Sequence, residues 1–263
     1  MRLGVDVGGT KIEAIALGDE GRELGRKRRA TPQHDYDATL ETIQALIHDL
    51  EEKIGRSGTV GVGMPGAIDA RTGLIKNANS IWLNGRPMDK DLERLLERPV
   101  RLQNDANCFA LSEAIDGAGQ GFDTIFGVII GTGCGGGLVA HRRPLQGANR
   151  IAGEWGHNPL PAPTPEEHPG PHCYCGRTGC IETWLSGPGF ARDFAARTGN
   201  NLTAEEICAA AEVGDPAALQ ALTAYEDRMA RAPAVVVNIF DPDVIVLGGG
   251  MSNIARLYAN VPM

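Results

Sequence analysis

Residues 3–11 constrain the fold of this chain more than any other stretch, because an alternating strand runs directly into two glycines. Apolar side chains occupy every second position of residues 3–7, as in a buried strand. Gly8 and Gly9 then predict a tight turn, and positive φ, which glycine adopts without steric cost, is the expected reason. Residues 12–17 alternate again as a returning strand, so the chain is predicted to begin with a β-hairpin.

This turn has the groups that hold a phosphate. A Gly-Gly-Thr turn bares backbone N–H groups, and Thr10 and Lys11 add a hydroxyl and a cation. Asp6, at the end of the strand, could hold Mg²⁺ through water. The stretch is neither a Walker A loop nor a dinucleotide-binding motif, because neither consensus is present. An ordinary hairpin turn with a surface lysine is the alternative.

Length and charge limit the function classes. The 263 residues are enough for one large or two medium domains, and a hydrophobic content of 42% suits a globular protein. The formal net charge of −8 argues against nucleic-acid and membrane-surface partners. No apolar run is long enough to span a bilayer, and no signal peptide precedes the first strand, so a cytoplasmic protein is expected.

Periodicity predicts alternating strands and helices. The first part of the chain is expected to contain a strand at 22–30, a helix from Asp35 or Asp37 to Ile54, a strand at 59–64, a loop-rich stretch at 67–88, a helix that Asp89 caps, and a strand at 100–103 followed by a helix. The rest is expected to contain a strand at 124–130, a glycine turn at 131–137 that leads into a strand ending near Ala140, helices at 187–198, 204–213 and 216–237, and a strand at 243–247. Pro233 is expected to kink the last helix or to begin a new segment.

A glycine-rich break at 117–121 predicts two lobes, an N-terminal one at 1–118 and a C-terminal one at 119–263. Each lobe contains a strand–glycine-turn–strand unit, which predicts an internal duplication of architecture. In a two-lobed α/β protein, the glycine turns could meet one nucleotide, two at its phosphates and one at its nucleoside. The turns are Gly8-Gly9, Gly131-Thr132-Gly133 and Gly248-Gly249-Gly250. Because glycine-rich turns are common in all proteins, the alternative is that the three turns occur by coincidence and have no shared ligand.

Asp105 is the candidate general base. It follows a predicted strand and begins a predicted helix, between Asn104 and Asn107. A helix N-terminus lowers the pKa of a carboxyl group, so Asp105 is expected to be ionised and able to accept a proton from a substrate hydroxyl. The neighbouring amides could hold other hydroxyls. Plain helix capping is the alternative.

One histidine and three cysteines have the composition of a structural zinc site. His157, Cys173, Cys175 and Cys180 supply one imidazole and three thiolates, a tetrahedral Zn²⁺ set. Free thiols are the alternative, and His168 or His172 could replace His157. Polyol-binding candidates lie nearby and in the loop after Gly66: Glu154, Glu182, Asn77, Asn79 and Asn84. Solvated carboxylates and an asparagine-rich turn are the corresponding alternatives.

Taken together, these motifs resemble the ROK family of the actin-like, ribonuclease-H-like ATPase superfamily. The motifs that carry the resemblance are DVGGTK at 6–11, NDAN at 104–107, GTG at 131–133, EWGH at 154–157, CYCGRTGCIE at 173–182 and GGG at 248–250. The stretches at 76–85 and 241–253 resemble bacterial fructokinases most, with N-acetylglucosamine kinases as the alternative.

The resemblance implies a two-lobed α/β ATPase fold with ATP and a hexose in the cleft between the lobes. Asp105 would be the general base for transfer to the sugar's 6-hydroxyl. The sugar would be held by Gly66, Asn79, Asn104, Glu154, His157 and Glu182, with His157 also a zinc ligand. The residues Gly8–Lys11 and Gly131–Gly133 would face phosphates, Gly248–Gly250 the nucleoside, and Mg²⁺ would lie near Asp6.

The expected partners are therefore ATP and a small sugar, with a homodimer left open. Family kinases usually continue some tens of residues past the third glycine turn, whereas this sequence ends at Met263. We therefore expect a chain that is C-terminally short, for which a non-catalytic sugar-binding relative is the alternative to an active kinase.

Overall fold

A computed structural model describes residues 1–261, and Pro262 and Met263, with which the expected C-terminal lobe ends, lie outside the described residues. Contacts divide the chain into two compact units. The first comprises Met1–Cys108 with Gln146–Ile151, and the second comprises Phe109–Leu145 with the residues from Ala152 onward. The boundary lies inside a helix, before the predicted 118/119. The later turns of that helix pack in the second unit, where Ala110 and Ala114 belong to the same core cluster as Ile125.

The first unit is built on a five-stranded sheet with the order β3-β2-β1-β4-β7. Its elements are β1 (Arg2–Val7), β2 (Lys11–Leu17), β3 (Glu23–Ala30), α1 (Tyr36–Ile54), β4 (Thr59–Met64), β5 (Ala67–Ile68), β6 (Ile75–Lys76), α2 (Met88–Leu96), β7 (Val100–Asn104) and the start of α3 (Asp105–Asp116). Strands β1 to β3 are antiparallel neighbours, whereas β4 and β7 add in parallel. Helix α1 begins as one of the two alternatives predicts, because the Asp35 carboxylate accepts the N–H of Ala38.

The second unit is built on a four-stranded sheet with the order β10-β9-β8-β11. Its elements are β8 (Thr124–Ile130), β9 (Cys134–Ala140), β10 (Arg143–Pro144), α4 (Ile181–Leu185), α5 (Gly187–Thr198), α6 (Ala204–Glu212), α7 (Pro216–Phe240), β11 (Val244–Gly248) and α8 (Ala255–Asn260). Strands β8 and β9 form an antiparallel hairpin, and β11 pairs with β8 in parallel. A single core cluster joins β8 to helices α4 through α8.

The two sheets share one strand order. In each, an antiparallel hairpin carries a third antiparallel strand on one side and a parallel strand on the other, so β10-β9-β8-β11 repeats β3-β2-β1-β4. The predicted duplication of a strand–glycine-turn–strand unit is present at this level. No helix within residues 1–261 is both long enough and apolar enough to cross a membrane.

Three predicted elements differ from the structure. Helix α2 begins at Met88, with Pro87 before it, so Asp89 lies in the first turn and is not the cap. Strand β9 begins at Cys134, so Gly135, Gly136 and Gly137 belong to the strand and not to the predicted turn. Glycine is needed at Gly136 because a Cβ there would lie 2.8 Å from the rings of both Phe126 and Trp155.

The third difference concerns Pro233. Helix α7 continues through this residue to Phe240, past the predicted end at Val237. A proline inside a helix removes one backbone hydrogen bond. Both Ala232 and Pro233 are buried, so packing stabilises a helix that this proline alone would interrupt.

A buried ion network holds the proline-rich segment before the cysteine cluster. Arg228 on α7 is 1% exposed, and it donates to Glu167 and to Asp193, both at 2.7 Å. Its guanidinium also lies 4.3 Å from the ring centre of Trp184. Burial alone would raise the pKa of Glu167, but Arg228, the N–H of Thr164 and Arg231 lower the pKa below its ordinary value. The network therefore fixes the segment at 164–167 on α5 and α7.

The α1 face that covers the first sheet offers a test of this packing. Leu46 is fully buried, so Leu46→Ala should lower the free energy of unfolding by about 2–5 kcal/mol through lost burial and a cavity. Glu52→Ala, an exposed position on the same helix, is the control and should change it by about 0.5 kcal/mol or less. Urea denaturation followed by circular dichroism measures both. Equal effects of the two substitutions would contradict the assigned core.

Candidate functional site

The predicted phosphate turn between β1 and β2 is closed by its own backbone. The Gly8 N–H donates to the Lys11 carbonyl at 3.0 Å, and a Cβ at Gly8 would lie 2.9 Å from that oxygen. Neither Gly8 nor Gly9 has a positive φ, so the conformational reason predicted from the sequence is wrong. Glycine is needed at Gly8 because the backbone approaches too closely for a side chain.

The carbonyl groups of this turn already have partners. Thr31 Oγ1 donates to the Gly8 carbonyl at 2.7 Å, the Thr31 N–H donates to the Thr10 carbonyl at 3.0 Å, and Gln33 Nε2 donates to the Gly9 carbonyl at 3.0 Å. A carbonyl oxygen would repel a phosphate oxygen. Because these bonds hold the carbonyls towards residues 31–33, the turn is suited to present N–H groups and the exposed Lys11 to an anion.

Asp6 lies at the end of β1, directly opposite Glu13 of β2 in the antiparallel register. Its side chain reaches solvent, yet partial desolvation raises the pKa of the Asp6 carboxyl, Glu13 raises it further, and Lys11 opposes both. Glu13 is itself paired with Arg26 and Arg28, which lower its pKa against a small effect of burial. A cation bound at the mouth of the turn would stabilise the ionised form of the Asp6 carboxyl group.

Asp105 is the first residue of α3, and its Oδ1 accepts the Ala106 N–H at 2.8 Å. The residue is exposed, but desolvation by the surrounding protein raises the pKa of Asp105. The charge of Asp6 raises the pKa further, whereas the Ala106 N–H lowers it. The lowered pKa predicted from the helix N-terminus is therefore wrong, because desolvation outweighs the backbone. A carboxylate with a raised pKa is a better proton acceptor.

Asn104 connects Asp105 to the loop after β4. Its Nδ2 donates to the Gly66 carbonyl at 3.0 Å, and its Oδ1 accepts the Asn107 N–H at 3.1 Å, which caps α3. Gly66 has φ +77°, and a Cβ there would lie 2.4 Å from the Lys76 carbonyl oxygen. Asn104 and Gly66, two predicted sugar-binding residues, are thus in direct contact, and glycine is required at position 66.

The asparagine-rich loop is braced by one of its own side chains. Asn84 accepts the Ala78 N–H and donates to the Ala78 carbonyl, both at 2.9 Å. Asn77 and Asn79 are exposed on this loop, whereas Ser80 is buried and its hydroxyl has no partner within the described residues. Sequence reasoning missed Ser80, whose Oγ lies 3.8 Å from the position of a Cβ on Gly9, because a buried serine has no sequence pattern of its own.

In the second unit, the two predicted glycine turns lie together. The Gly250 nitrogen is 3.8 Å from the position of a Cβ on Gly131, at the β8–β9 turn. Gly249 has φ +84°, and a Cβ there would lie 2.4 Å from the Ile130 carbonyl oxygen. A Cβ at Gly248 would meet the Phe109 ring at 2.6 Å. Two of the three predicted glycine turns, Gly131–Gly133 and Gly248–Gly250, are therefore neighbours within the second unit.

Glu182 joins the first of these turns to the cysteine segment. Its Oε2 accepts the Cys134 N–H at 2.9 Å, and a Cβ at Gly133 would lie 2.7 Å from that oxygen. The Glu182 N–H also donates to the Gly156 carbonyl at 2.8 Å. One carboxylate oxygen is therefore committed to the glycine turn. Glu154 lies two residues before Gly156 with an exposed side chain.

The four predicted metal ligands form one cluster. The donor atoms of His157, Cys173, Cys175 and Cys180 all lie within 4.8 Å of one another. Cys175 Sγ is 3.6 Å from Cys180 Sγ, and Cys173 Sγ is 3.5 Å from His157 Nδ1. Tetrahedral zinc with ordinary bond lengths would separate two sulfurs by about 3.8 Å and a sulfur and a nitrogen by about 3.6 Å. The donor set and its spacing thus fit a tetrahedral metal ion.

The two nitrogens of His157 have different neighbours. Nδ1 faces the cysteine cluster, whereas Nε2 lies 3.0 Å from the Tyr174 hydroxyl. Desolvation, with the charge of Glu182 second, raises the pKa of Tyr174 to about 12. The alternatives His168 and His172 are outside the metal-ligand group found among residues 1–261. Only Nε2 of His157 is directed away from the cluster, so only this atom could also meet a sugar.

Comparison with known proteins identifies the family. The model of the ROK family matches residues 2–263, and the chain belongs to this family. The chain is 41% identical over 266 residues to the N-acetyl-D-glucosamine kinase of Photobacterium profundum, with 100% of this chain and 88% of the relative covered.

Solved structures give the same result for the fold. The ROK hexokinase from Thermus thermophilus superposes with a TM-score of 0.85 at 32% identity, covering 99% of this chain and 86% of that one. The ROK family glucokinase from Streptomyces griseus, solved with glucose and AMPPNP, superposes with a TM-score of 0.80 at 29% identity, covering 99% and 87%. The predicted α/β fold of the actin-like ATPase type is thereby confirmed.

The glycine turn after β11 offers a matched pair of substitutions. Gly249→Ala should lower the free energy of unfolding by about 1–3 kcal/mol or more, because φ is +84° and the Cβ would meet the Ile130 carbonyl. Gly250→Ala is the control, since a Cβ there has nothing within 4 Å. Chemical denaturation measures both. If the neighbouring glycines tolerate alanine equally, the described turn is incorrect.

Proposed function

We propose that this protein is an ATP-dependent hexose kinase in which Asp105 removes the proton from the attacking sugar hydroxyl. The observation that carries the proposal is the Asp105 carboxylate at the start of α3, with a raised pKa and beside Asn104. Membership of the ROK family supports the reaction class. Phosphoryl transfer depends mainly on the positioning of the two substrates and on neutralisation of the phosphate charge. The one further requirement is a base that takes the proton of the attacking hydroxyl.

N-acetyl-D-glucosamine, phosphorylated on its 6-hydroxyl, is the proposed sugar. Local resemblance at 76–85 and 241–253 favoured fructose, but the relatives about 40% identical over nearly the whole chain carry the name N-acetyl-D-glucosamine kinase. Similarity along the entire chain weighs more than two short stretches. We therefore propose the alternative from the sequence analysis in place of fructose.

The sugar and nucleotide contacts remain proposals carried over from the motifs. Backbone N–H groups of the β1–β2 turn, with Thr10 and Lys11, would bind phosphate, as would the turn at Gly131-Thr132-Gly133. The Gly248–Gly250 turn would hold the nucleoside. The proposed sugar ligands are Gly66, Asn79, Asn104, Glu154, His157 through Nε2, and Glu182 through its second carboxylate oxygen. When bound near Asp6, Mg²⁺ would neutralise charge on the phosphates.

We also propose that the cysteine cluster holds a structural Zn²⁺. Three thiolates and one imidazole leave no coordination position for substrate, so the ion would supply folding energy instead of chemistry. His157 would then link the metal cluster to the sugar, with Nδ1 on the ion and Nε2 towards the substrate.

Asp105→Asn tests the base. Turnover with N-acetyl-D-glucosamine should fall about 10²–10⁴-fold, because an amide cannot accept the proton. Sugar binding, measured by calorimetry, should change far less. Asp116→Asn, at the exposed far end of α3, is the control and should leave turnover unchanged. A variant at position 105 with turnover within a few-fold of the original would exclude the role of general base.

The pH profile tests the raised pKa of Asp105. Because the base acts only when deprotonated, kcat/KM should fall as the pH drops through the pKa of Asp105. Since desolvation and Asp6 raise that pKa above 3.8, the fall should begin at a higher pH than for an ordinary aspartate. An acid limb centred at or below 3.8 would contradict the assignment.

Metal analysis tests the cysteine cluster. Freshly purified, reduced protein should contain one zinc per chain, and strong chelation should lower the melting temperature because structural zinc contributes directly to folding. Cys175→Ser should lose the zinc, whereas Cys208→Ser, outside the cluster, should retain it. Protein without zinc that melts at the same temperature before and after chelation would disprove the site.

A further inference from the structure

A tyrosine between two of the proposed metal ligands lies against the ring of a third. The Tyr174 hydroxyl oxygen is 3.0 Å from His157 Nε2, and the two rings meet edge to face with their centres 5.1 Å apart. Nε2 is the atom of His157 that the proposed function assigns to the sugar. In the structure, this atom therefore already has a hydrogen-bond partner, for which the roles above have no use.

His157 Nε2 serves one partner at a time. In a neutral imidazole each nitrogen is either a donor or an acceptor, so Nε2 makes one hydrogen bond in either tautomer. Nδ1 does not replace it, because Nδ1 faces Cys173 Sγ at 3.5 Å within the metal-ligand cluster. A sugar hydroxyl on Nε2 and the Tyr174 hydroxyl on Nε2 are therefore alternatives.

The charges near Tyr174 belong to the same proposed site. Desolvation is the first cause of the raised pKa of Tyr174, and the charges of Glu182 and Glu154 contribute to it. Both carboxylates are proposed sugar ligands, so the phenol shares its surroundings with the sugar residues of the second unit. A phenol hydroxyl, like a sugar hydroxyl, offers one donor and one acceptor oxygen. The Tyr174 hydroxyl is thus suited to take the position of a sugar hydroxyl on His157.

The backbone that carries Tyr174 is fixed, whereas its side chain is not enclosed. The Cys173 N–H donates to the Arg177 carbonyl at 2.8 Å, and the Gly176 N–H donates to the Cys173 carbonyl at 3.0 Å, which closes a tight turn. Arg177 Nη1 also donates to the His157 carbonyl at 3.2 Å. Because Tyr174 is 76% exposed, rotation of its side chain moves the hydroxyl off His157 while the turn stays in place.

We infer that Tyr174 competes with the sugar for His157. In the free protein its hydroxyl occupies the place of a sugar hydroxyl at Nε2, and the arriving sugar turns the side chain out towards solvent. The sugar must replace an existing hydrogen bond, so Tyr174 lowers the affinity of the site. The inference rests on the proposed function and adds to it a residue that sets the sugar affinity.

Isothermal calorimetry on the full chain, without ATP, tests the competition. Tyr174→Phe keeps the ring and should lower the Kd for N-acetylglucosamine about two- to ten-fold, because the free protein loses a hydrogen bond that the bound protein lacks. A residue that only supported the turn, or one that held the sugar, would raise the Kd when altered. Tyr258→Phe is the control: this exposed tyrosine of the same unit donates to the Ser252 carbonyl at 2.9 Å, and its loss should leave the Kd unchanged.

Carbon-13 NMR of the tyrosine ring carbon that bears the oxygen gives an independent readout. The chain has four tyrosines, so the signal that is missing from Tyr174→Phe identifies Tyr174. Saturation with N-acetylglucosamine should shift this signal, because water replaces His157 as the partner of the hydroxyl. The signal of Tyr258, identified in the same way, should stay in place.

The outcomes separate the competition from the proposed kinase. A Kd that is unchanged or raised in Tyr174→Phe, or a Tyr174 signal that saturating sugar does not move, would overturn the competition and leave a kinase with intact ATP turnover standing. Tighter sugar binding by Tyr174→Phe in a protein that turns over no ATP with any hexose would defeat the kinase and support the competition. Absence of any hexose binding would overturn both the competition and the sugar site.

Discussion

Close contact between backbone segments at the glycine turns is the constraint on which both units depend. Gly8 folds its N–H onto the Lys11 carbonyl, and Gly249 lies against the Ile130 carbonyl at a distance that excludes any side chain. The Gly8 turn joins the two strands of the hairpin in the first sheet, and the Gly249 turn follows the parallel strand β11 of the second sheet. A Cβ at either position would move a strand end, and the polar groups that follow would move with it. The turns are therefore structural requirements before they are binding elements.

Asp105 shows how environment decides chemistry at such a strand end. A helix N-terminus lowers the pKa of a carboxyl group, but desolvation and the charge of Asp6 raise it more. The Asn104 side chain donates to the Gly66 carbonyl and accepts the Asn107 N–H at the start of α3. These two hydrogen bonds fix the backbone next to the Asp105 carboxylate. The motif at 104–107, whose sequence is also typical of helix capping, thus holds a carboxyl group with a raised pKa. A raised pKa is what the proposed proton transfer requires.

The second unit holds its proposed sugar residues through shared contacts. Glu182 is bound to the Gly133–Cys134 backbone, and His157 belongs to the metal-ligand cluster through Nδ1. Buried Arg228 fixes the proline-rich segment that leads to the cysteines. Removal of one partner from that network would leave a buried charge, which is costly. Stability and the proposed binding geometry are therefore coupled in this unit.

The sequence by itself determined the strands and most helices, the Cys₃His set, Asp105 as a helix-start carboxylate, and the family. Local periodicity and residue chemistry are enough for these. The tertiary structure decided that Pro233 lies within α7, that the glycines of β9 make room for Trp155, and that desolvation raises the pKa of Asp105. It also decided that the buried Asn107 Oδ1 has no hydrogen-bond partner among residues 1–261. These features depend on neighbours distant in sequence, whose contacts no local pattern contains.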